Sequence, residues 1–217
     1  MIDYIVEKLD NIDAIKEILV VTNNTFHSQF QSWVKFCKHK KPIKIINDGT
    51  ASNEDRLGAL KDIDYVVKQN MIKDSLMVIA GDNLFEFNIQ NFINLYNSKK
   101  APVIAVFDMK DRKKLAKKLG VVELDDNNKI ASFEEKPAEP KSTLAATACY
   151  IFQPDDIEEL DKFLKNNKKA DNTGEFIAHL VQSKDVYAFT FDEGWFDIGS
   201  FDQLEEAYKI YEGKKVA

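Results

Sequence analysis

SLMVIAGDN, residues 75–83, sets the apolar run Leu76 to Ala80 against a glycine and two polar residues. A run this short, rich in aliphatic residues and stopped by a turn signal, reads as a strand covered on both faces. The stretch before it places Leu57, Leu60, Ile63 and Val67 at helical spacing, with Ser52 as the expected N-cap and Asp55 three residues on. The stretch after it repeats the pattern with Ile89, Phe92, Ile93 and Tyr96 behind Asn88 as cap, and then a second apolar run, APVIAVFD.

The same alternation runs back to the start. Ile2, Ile5, Val6, Leu9 and Ile12 precede EILVVTNN, and Phe26, Phe30, Trp33, Val34 and Cys37 precede IKIIN. Amphipathic helices alternating with fully apolar strands are what a sheet covered on both faces requires, so the expected class is α/β with a mostly parallel sheet. Beyond Gly120 the pattern changes: GVVEL and KIASFEEK flank the polar turn Asp125 to Asn128, which predicts a hairpin, with LAATACYIF pairing nearby. Helices are expected at Ile157, Leu160 and Leu164 behind Pro154, and at Phe176, Ile177, Leu180 and Val181. VYAFTF and WFDI read as strands. Ser200 and Gln203 form a capping box for a last helix with Leu204, Ala207, Tyr208 and Tyr211 facing inward.

The chain has 217 residues with 44% hydrophobic and 30% charged, a globular composition without repeat or linker, and residues 1–217 are expected to form a single domain. A net charge of -6 argues against a broad basic face for nucleic acid, and the lysine-rich stretches 38–44 and 110–118 read as solvated surface. No apolar run is long enough for a membrane span, so a cytoplasmic location is expected, and a homo-oligomer is left open. Cys37 and Cys149 are far apart and read as buried apolar residues; His27, His39 and His179 are scattered and read as structural.

In open α/β sheets a ligand sits beyond the carboxyl ends of the strands, which directs attention to Asp48, Gly49, Asp82 and Asn83. Asp82 can present a carboxylate to a hard cation, with Mg2+ the natural candidate; read alone, the GDN turn is better explained by turn chemistry. Asp197 in GWFDIGS lies between glycines that permit close backbone approach. FEEKP supplies Glu134, Glu135 and Lys136, and strand alternation puts Glu134 and Lys136 on one face.

The order of these motifs, GDN, LGVVEL, FEEKP, ACYIF and GWFDIG, resembles that of the sugar-1-phosphate nucleotidyltransferases, and the glucose-1-phosphate thymidylyltransferases among them. The similarity runs from MIDYIVEKL to QLEEA. It implies a Rossmann-like fold with a small hairpin sugar-binding part, and transfer of a nucleotidyl group from a nucleoside triphosphate to a sugar 1-phosphate with release of pyrophosphate. It further implies that Asp82 and Asp197 hold Mg2+, that Lys136 meets the sugar phosphate, that Glu135 bonds sugar hydroxyls and that Gly120 lies against the sugar ring. For Glu135 and Lys136 to face one ligand, the chain must bend or bulge there. The family usually opens with a strand, a glycine-rich loop and a Pro-Lys-Pro segment ahead of the helix that begins here at Met1. The expectation is therefore an N-terminally truncated domain whose own turnover is impaired. A non-catalytic sugar-phosphate-binding or regulatory module is the alternative. A glycosyltransferase of similar architecture is disfavoured, since GDN lacks its usual Asp-x-Asp pair.

Overall fold

The computed structural model describes residues 1–215. Its elements run α1 (Ile2–Asp10), β1 (Ile18–Thr22), α2 (Asn24–Phe36), β2 (Ile43–Asn47), α3 (Ala59–Asn70), β3 (Leu76–Ile79), β4 (Asn83–Phe85), α4 (Ile89–Lys99) and β5 (Val103–Asp108). They continue with β6 (Val121–Leu124), β7 (Ile130–Glu134), β8 (Leu144–Phe152), α5 (Pro154–Asn166), α6 (Thr173–Ser183), β9 (Tyr187–Phe191), β10 (Trp195–Asp197) and α7 (Phe201–Lys215).

Local chemistry accounts for most of the boundaries. The Asn88 side chain caps α4 by accepting from Gln90 and Asn91, and Pro154 opens α5 inside a Gln153–Asp156 capping box. The Ser200 hydroxyl accepts from the Gln203 N–H at the start of α7, as expected. In α7 Ala207 is buried but Tyr208 is 54% exposed, contrary to the expected inward face, and the Tyr211 side chain lies outside the described residues. Ser52 and Asp55 bond each other but do not cap α3, which begins seven residues after Ser52. Their turn is a unit of its own, and the helix starts only after Gly58, at φ 89°.

The large sheet has six strands in the order β7-β6-β8-β5-β9, with β3 also paired to β8. β8 runs antiparallel to β3, β5 and β6, while β5 and β9 are parallel. Strands β3, β5, β6 and β9 therefore share one direction, and β7 and β8 oppose it. The hairpin expected around Asp125 to Asn128 is β6–β7, and LAATACYIF is the nine-residue β8 at the sheet's centre. Helices cover both faces, as the continuous apolar strands demand: on β5, Ile104 and Val106 join a core with Leu60, Phe163 and Phe176, while Val103 and Ala105 join a core with Val6 and Phe92. β1 and β2 form a separate parallel pair; among the described residues β1 pairs only with β2, and β3 only with β8.

One irregularity positions the site. β3 and β6 lie along the same edge of β8, β3 opposite residues 149–152 and β6 opposite residues 144–145. Between them β8 bulges, its register against β5 shifting between Ile104 and Val106, and Ala148 adopts φ 51°. A left-handed conformation costs a non-glycine residue about 1–2 kcal/mol and persists where the surroundings demand it. Here Ala80 N–H donates to the Ala148 carbonyl at 3.1 Å and Ala146 N–H to the Gly120 carbonyl at 2.9 Å. The chain leaving β3 and the chain entering β6 thus meet at the bulge.

Candidate functional site

The GDN turn leaves β3 at this junction and feeds directly into β4, which pairs antiparallel with β10 so that Asn83 faces Asp197. Ile198 N–H donates to the Asp82 carbonyl at 3.0 Å. Asn83, 3% exposed, organises the turn: its amide nitrogen donates to Asp82 Oδ1 at 2.8 Å, and its Oδ1 accepts from Trp195 Nε1 at 2.7 Å. Two carboxylates 115 positions apart are thereby brought to one ribbon. Burial pushes the Asp197 carboxyl above its ordinary range, the nearby Asp82 charge adds to that rise, and Lys136 opposes it. The structure brings Asp82, Asp197 and Lys136 together.

The bend expected at Glu135 and Lys136 is present. β7 ends at Glu134, and Lys136 adopts φ 48° with its N–H donating to the Leu119 carbonyl at 3.2 Å. The turn breaks strand alternation, so Lys136 Nζ comes within 3.8 Å of Glu135 Oε1. The Glu134–Lys136 ladder that strand alternation suggested does not form: Glu134 pairs with Lys141 and Lys136 approaches Glu135, because the left-handed backbone at Lys136 ends the alternation.

Glu135 sits between two glycines. A Cβ on Gly120 would lie 2.6 Å from the Phe133 ring and 3.1 Å from Glu135 Oε2, and one on Gly174 would lie 1.9 Å from the same oxygen. Gly120 therefore contributes its lack of a side chain, giving room first to the Phe133 ring and then to the carboxylate beside it. Burial raises the Glu135 carboxyl, Lys136 lowers it, and Glu175 raises it further. Gly174, in the first turn of α6, is a site residue that sequence reasoning missed. The available signal was a glycine inside a helical pattern, where it costs about 1 kcal/mol relative to alanine unless packing requires it.

Asp48 and Gly49 follow β2 rather than the GDN ribbon, and Asp48 Oδ1 is occupied by the Thr50 N–H and hydroxyl. His39 and His179 have carboxylate partners that the sequence pattern did not reveal, Asp3 at 3.2 Å and Glu159 at 2.9 Å, and both tie separate elements together. Cys149 is buried as expected, whereas Cys37 is only half-buried.

No three metal-ligating side chains converge among the described residues. The donor set nevertheless fits Mg2+, which takes one or two carboxylates and completes its shell with phosphate oxygens and water. Asp197, half-buried with the Asp82 charge nearby, is the kind of hard oxygen donor a dication would satisfy. No helix among the described residues is long and apolar enough to cross a membrane.

The sequence pattern of the nucleotidyl transferase family matches residues 1–214. Among solved structures, the fold is similar to that of a Bacillus anthracis protein assigned as a glucose-1-phosphate thymidylyltransferase, in complex with sucrose. The TM-score is 0.78 at 19% identity, over 96% of this chain and 81% of that one. It is also similar to a UDP-glucose pyrophosphorylase complexed with UDP-glucose, with TM-score 0.77 at 19% identity over 98% of this chain and 86% of that one. An apo UDP-glucose pyrophosphorylase matches with TM-score 0.77 at 18% identity, over 99% and 87%. At these identities the likeness establishes the fold.

Proposed function

The chain belongs to the nucleotidyl transferase family, and on that premise we propose that it serves transfer of a nucleotidyl group from a nucleoside triphosphate to a sugar 1-phosphate, with release of pyrophosphate. The observation that carries this reading is the convergence of Asp82, Asp197 and Lys136 around the β4–β10 ribbon. Residues 1–217 are read as one nucleotidyltransferase-like domain, acting in the cytoplasm on small phosphorylated substrates.

In this reading the work is positioning and charge neutralisation, because attack by one phosphate oxygen on the α-phosphorus needs in-line geometry and relief of accumulating negative charge. Lys136, a point charge on a backbone fixed in the left-handed region, holds the sugar phosphate. Glu135, half-buried between Gly120 and Gly174, accepts from sugar hydroxyls. Asp82 and Asp197 would hold Mg2+, which when bound offsets charge on the phosphate oxygens. Asn83 keeps Asp82 in orientation through its amide.

A glycine-rich loop of the family kind is not among residues 1–217. Removing even one preorganised donor from an oxyanion site commonly costs about 10²–10³-fold in rate. Turnover by these residues alone is therefore expected to be low, and to rise when a strand, glycine-rich loop and Pro-Lys-Pro segment are joined ahead of Met1. The assay is pyrophosphate release from each nucleoside triphosphate with glucose 1-phosphate, with and without the added segment. No turnover in either form, together with retained sugar-phosphate binding, would replace this reading with that of a binding or regulatory module. Fast turnover without the segment would refute the loop requirement.

A further inference from the structure

Away from the GDN ribbon, the connection from β2 to α3 is an exposed excursion pinned at a few points. Asn24 N–H donates to the Thr50 carbonyl at 2.7 Å, the Thr25 hydroxyl donates to the Ala51 carbonyl at 3.0 Å, and Arg56 bonds Asp171 Oδ2 at 2.8 Å. Gly58 packs so tightly on the α5–α6 connection that a Cβ there would lie 1.7 Å from Asp171 Oδ1. Behind this excursion, in the first turn of α3, Asp62 Oδ1 is buried without a hydrogen-bond partner, and no other buried side-chain oxygen or nitrogen among the described residues lacks one. An orphaned buried acceptor calls for an explanation.

The groups facing Asp62 make the problem sharper. Asp48 at the end of β2 is within hydrogen-bonding reach, and Asp171 approaches from the α5–α6 connection. Arg56 is engaged by Asp171, and Glu175 Oε2 accepts the Asp171 N–H at 3.1 Å. On α3 itself Asp64 is paired with Lys68, and β1, packed against the helix, carries no titratable side chain. Among the described residues, the charges that act on Asp62 are those of Asp48 and Asp171, both acidic. Two carboxylates in contact without a donor between them are repulsive, whereas one protonated carboxyl supplies the missing donor.

We propose that Asp62 and Asp48 share a proton, and that this carboxyl–carboxylate hydrogen bond is a pH-sensitive latch holding the 48–58 segment against α3 and the α5–α6 connection. Burial first, then the charges of Asp48 and Asp171, push Asp62 up to about 6. Below that pH the proton is present and the latch closed; above it two like charges face each other and the segment loosens. Asp171 and Glu175 lead from the latch to Glu135, whose carboxyl Glu175 also raises, so the latch borders the proposed sugar pocket. The inference does not depend on the proposed activity.

The test combines carboxyl-carbon NMR titration of Asp62 with hydrogen exchange of residues 48–58 at about pH 5 and about pH 8, corrected for intrinsic exchange. In the unaltered chain, Asp62 should titrate near 6 and protection of the segment should fall severalfold at the higher pH. Asp62→Asn supplies a permanent donor and should make protection independent of pH. Asp48→Asn should return the Asp62 midpoint toward the ordinary carboxylate range. An ordinary Asp62 midpoint in the unaltered chain, or a pH dependence that persists in Asp62→Asn, would overturn the proposal.

Discussion

Ile198 N–H donates to the carbonyl of Asp82 at 3.0 Å, so the backbone that carries Asp197 is bonded to the residue whose carboxylate it must approach. Convergence of the two acids is thus built into a strand ladder, with Trp195 locking the ribbon from the side through Asn83. Rigid elements hold such constellations more precisely than loops do.

From this pairing follows a metal prediction. Mg2+ should raise the melting temperature of the unaltered chain, because a cation bound only by the folded state stabilises it by mass action. Asp82→Asn or Asp197→Asn should abolish that rise. Without metal, Asp197→Asn should be more stable than the unaltered chain at neutral pH, since it removes a half-buried charge facing Asp82. An unchanged Mg2+ response in both variants, read by thermal unfolding, would exclude the pair as the metal site.

Lys136→Ala should weaken binding of glucose 1-phosphate by roughly 10- to 100-fold, the range for losing one or two charge-assisted hydrogen bonds. Binding of unphosphorylated glucose should change far less. Calorimetry with both ligands separates the cases; equal losses would mean that the ammonium does not meet the phosphate.

Glu135 carries a pH signature of opposite sign to that of an ordinary salt-bridged acid. Its folded-state pKa is raised, chiefly by burial, so the neutral form suits the fold and stability falls as pH rises from the ordinary carboxylate range through the raised value. Glu135→Gln should therefore melt higher than the unaltered chain at about pH 7, and at the same temperature well below pH 4, where both side chains are neutral. A thermal-melt series across pH checks this; a variant less stable at neutral pH would show that Lys136 outweighs the burial.

Gly174→Ala should destabilise the domain by about 1–3 kcal/mol, as inserting a methyl group into occupied space does. Its Cβ would lie 1.9 Å from Glu135 Oε2, so Glu135 must move and sugar binding should fall with it. Shortening the acid in Gly174→Ala/Glu135→Ala should recover much of the stability. Denaturant unfolding of the single and double variants measures the coupling.

The α/β class, the helices and the hairpin were legible in the sequence because each depends on local periodicity: apolar residues three and four apart along α4, an unbroken apolar run in β5, a polar turn after β6. The same local reasoning placed the Asn88 and Ser200 caps, and failed at Ser52, where a cap-like pair closes a separate turn. A short-range hydrogen bond does not reveal which element it ends.

The site divides in the same way. The sequence by itself determined the residue types and their order, from the GDN turn through FEEKP to GWFDIG, because those motifs are continuous in the chain. Only tertiary structure decided that Asp82 and Asp197 share a ribbon, that Lys136 turns toward Glu135 through a left-handed backbone, and that Gly174 makes room for the Glu135 carboxylate. Strand pairing, a positive φ at a lysine and a contact between a strand end and a distant helix are set by packing across the sheet, which leaves no period in the sequence. The orphaned oxygen of Asp62 belongs with them, since an aspartate in the first turn of a helix is unremarkable until another chain segment brings Asp48 against it.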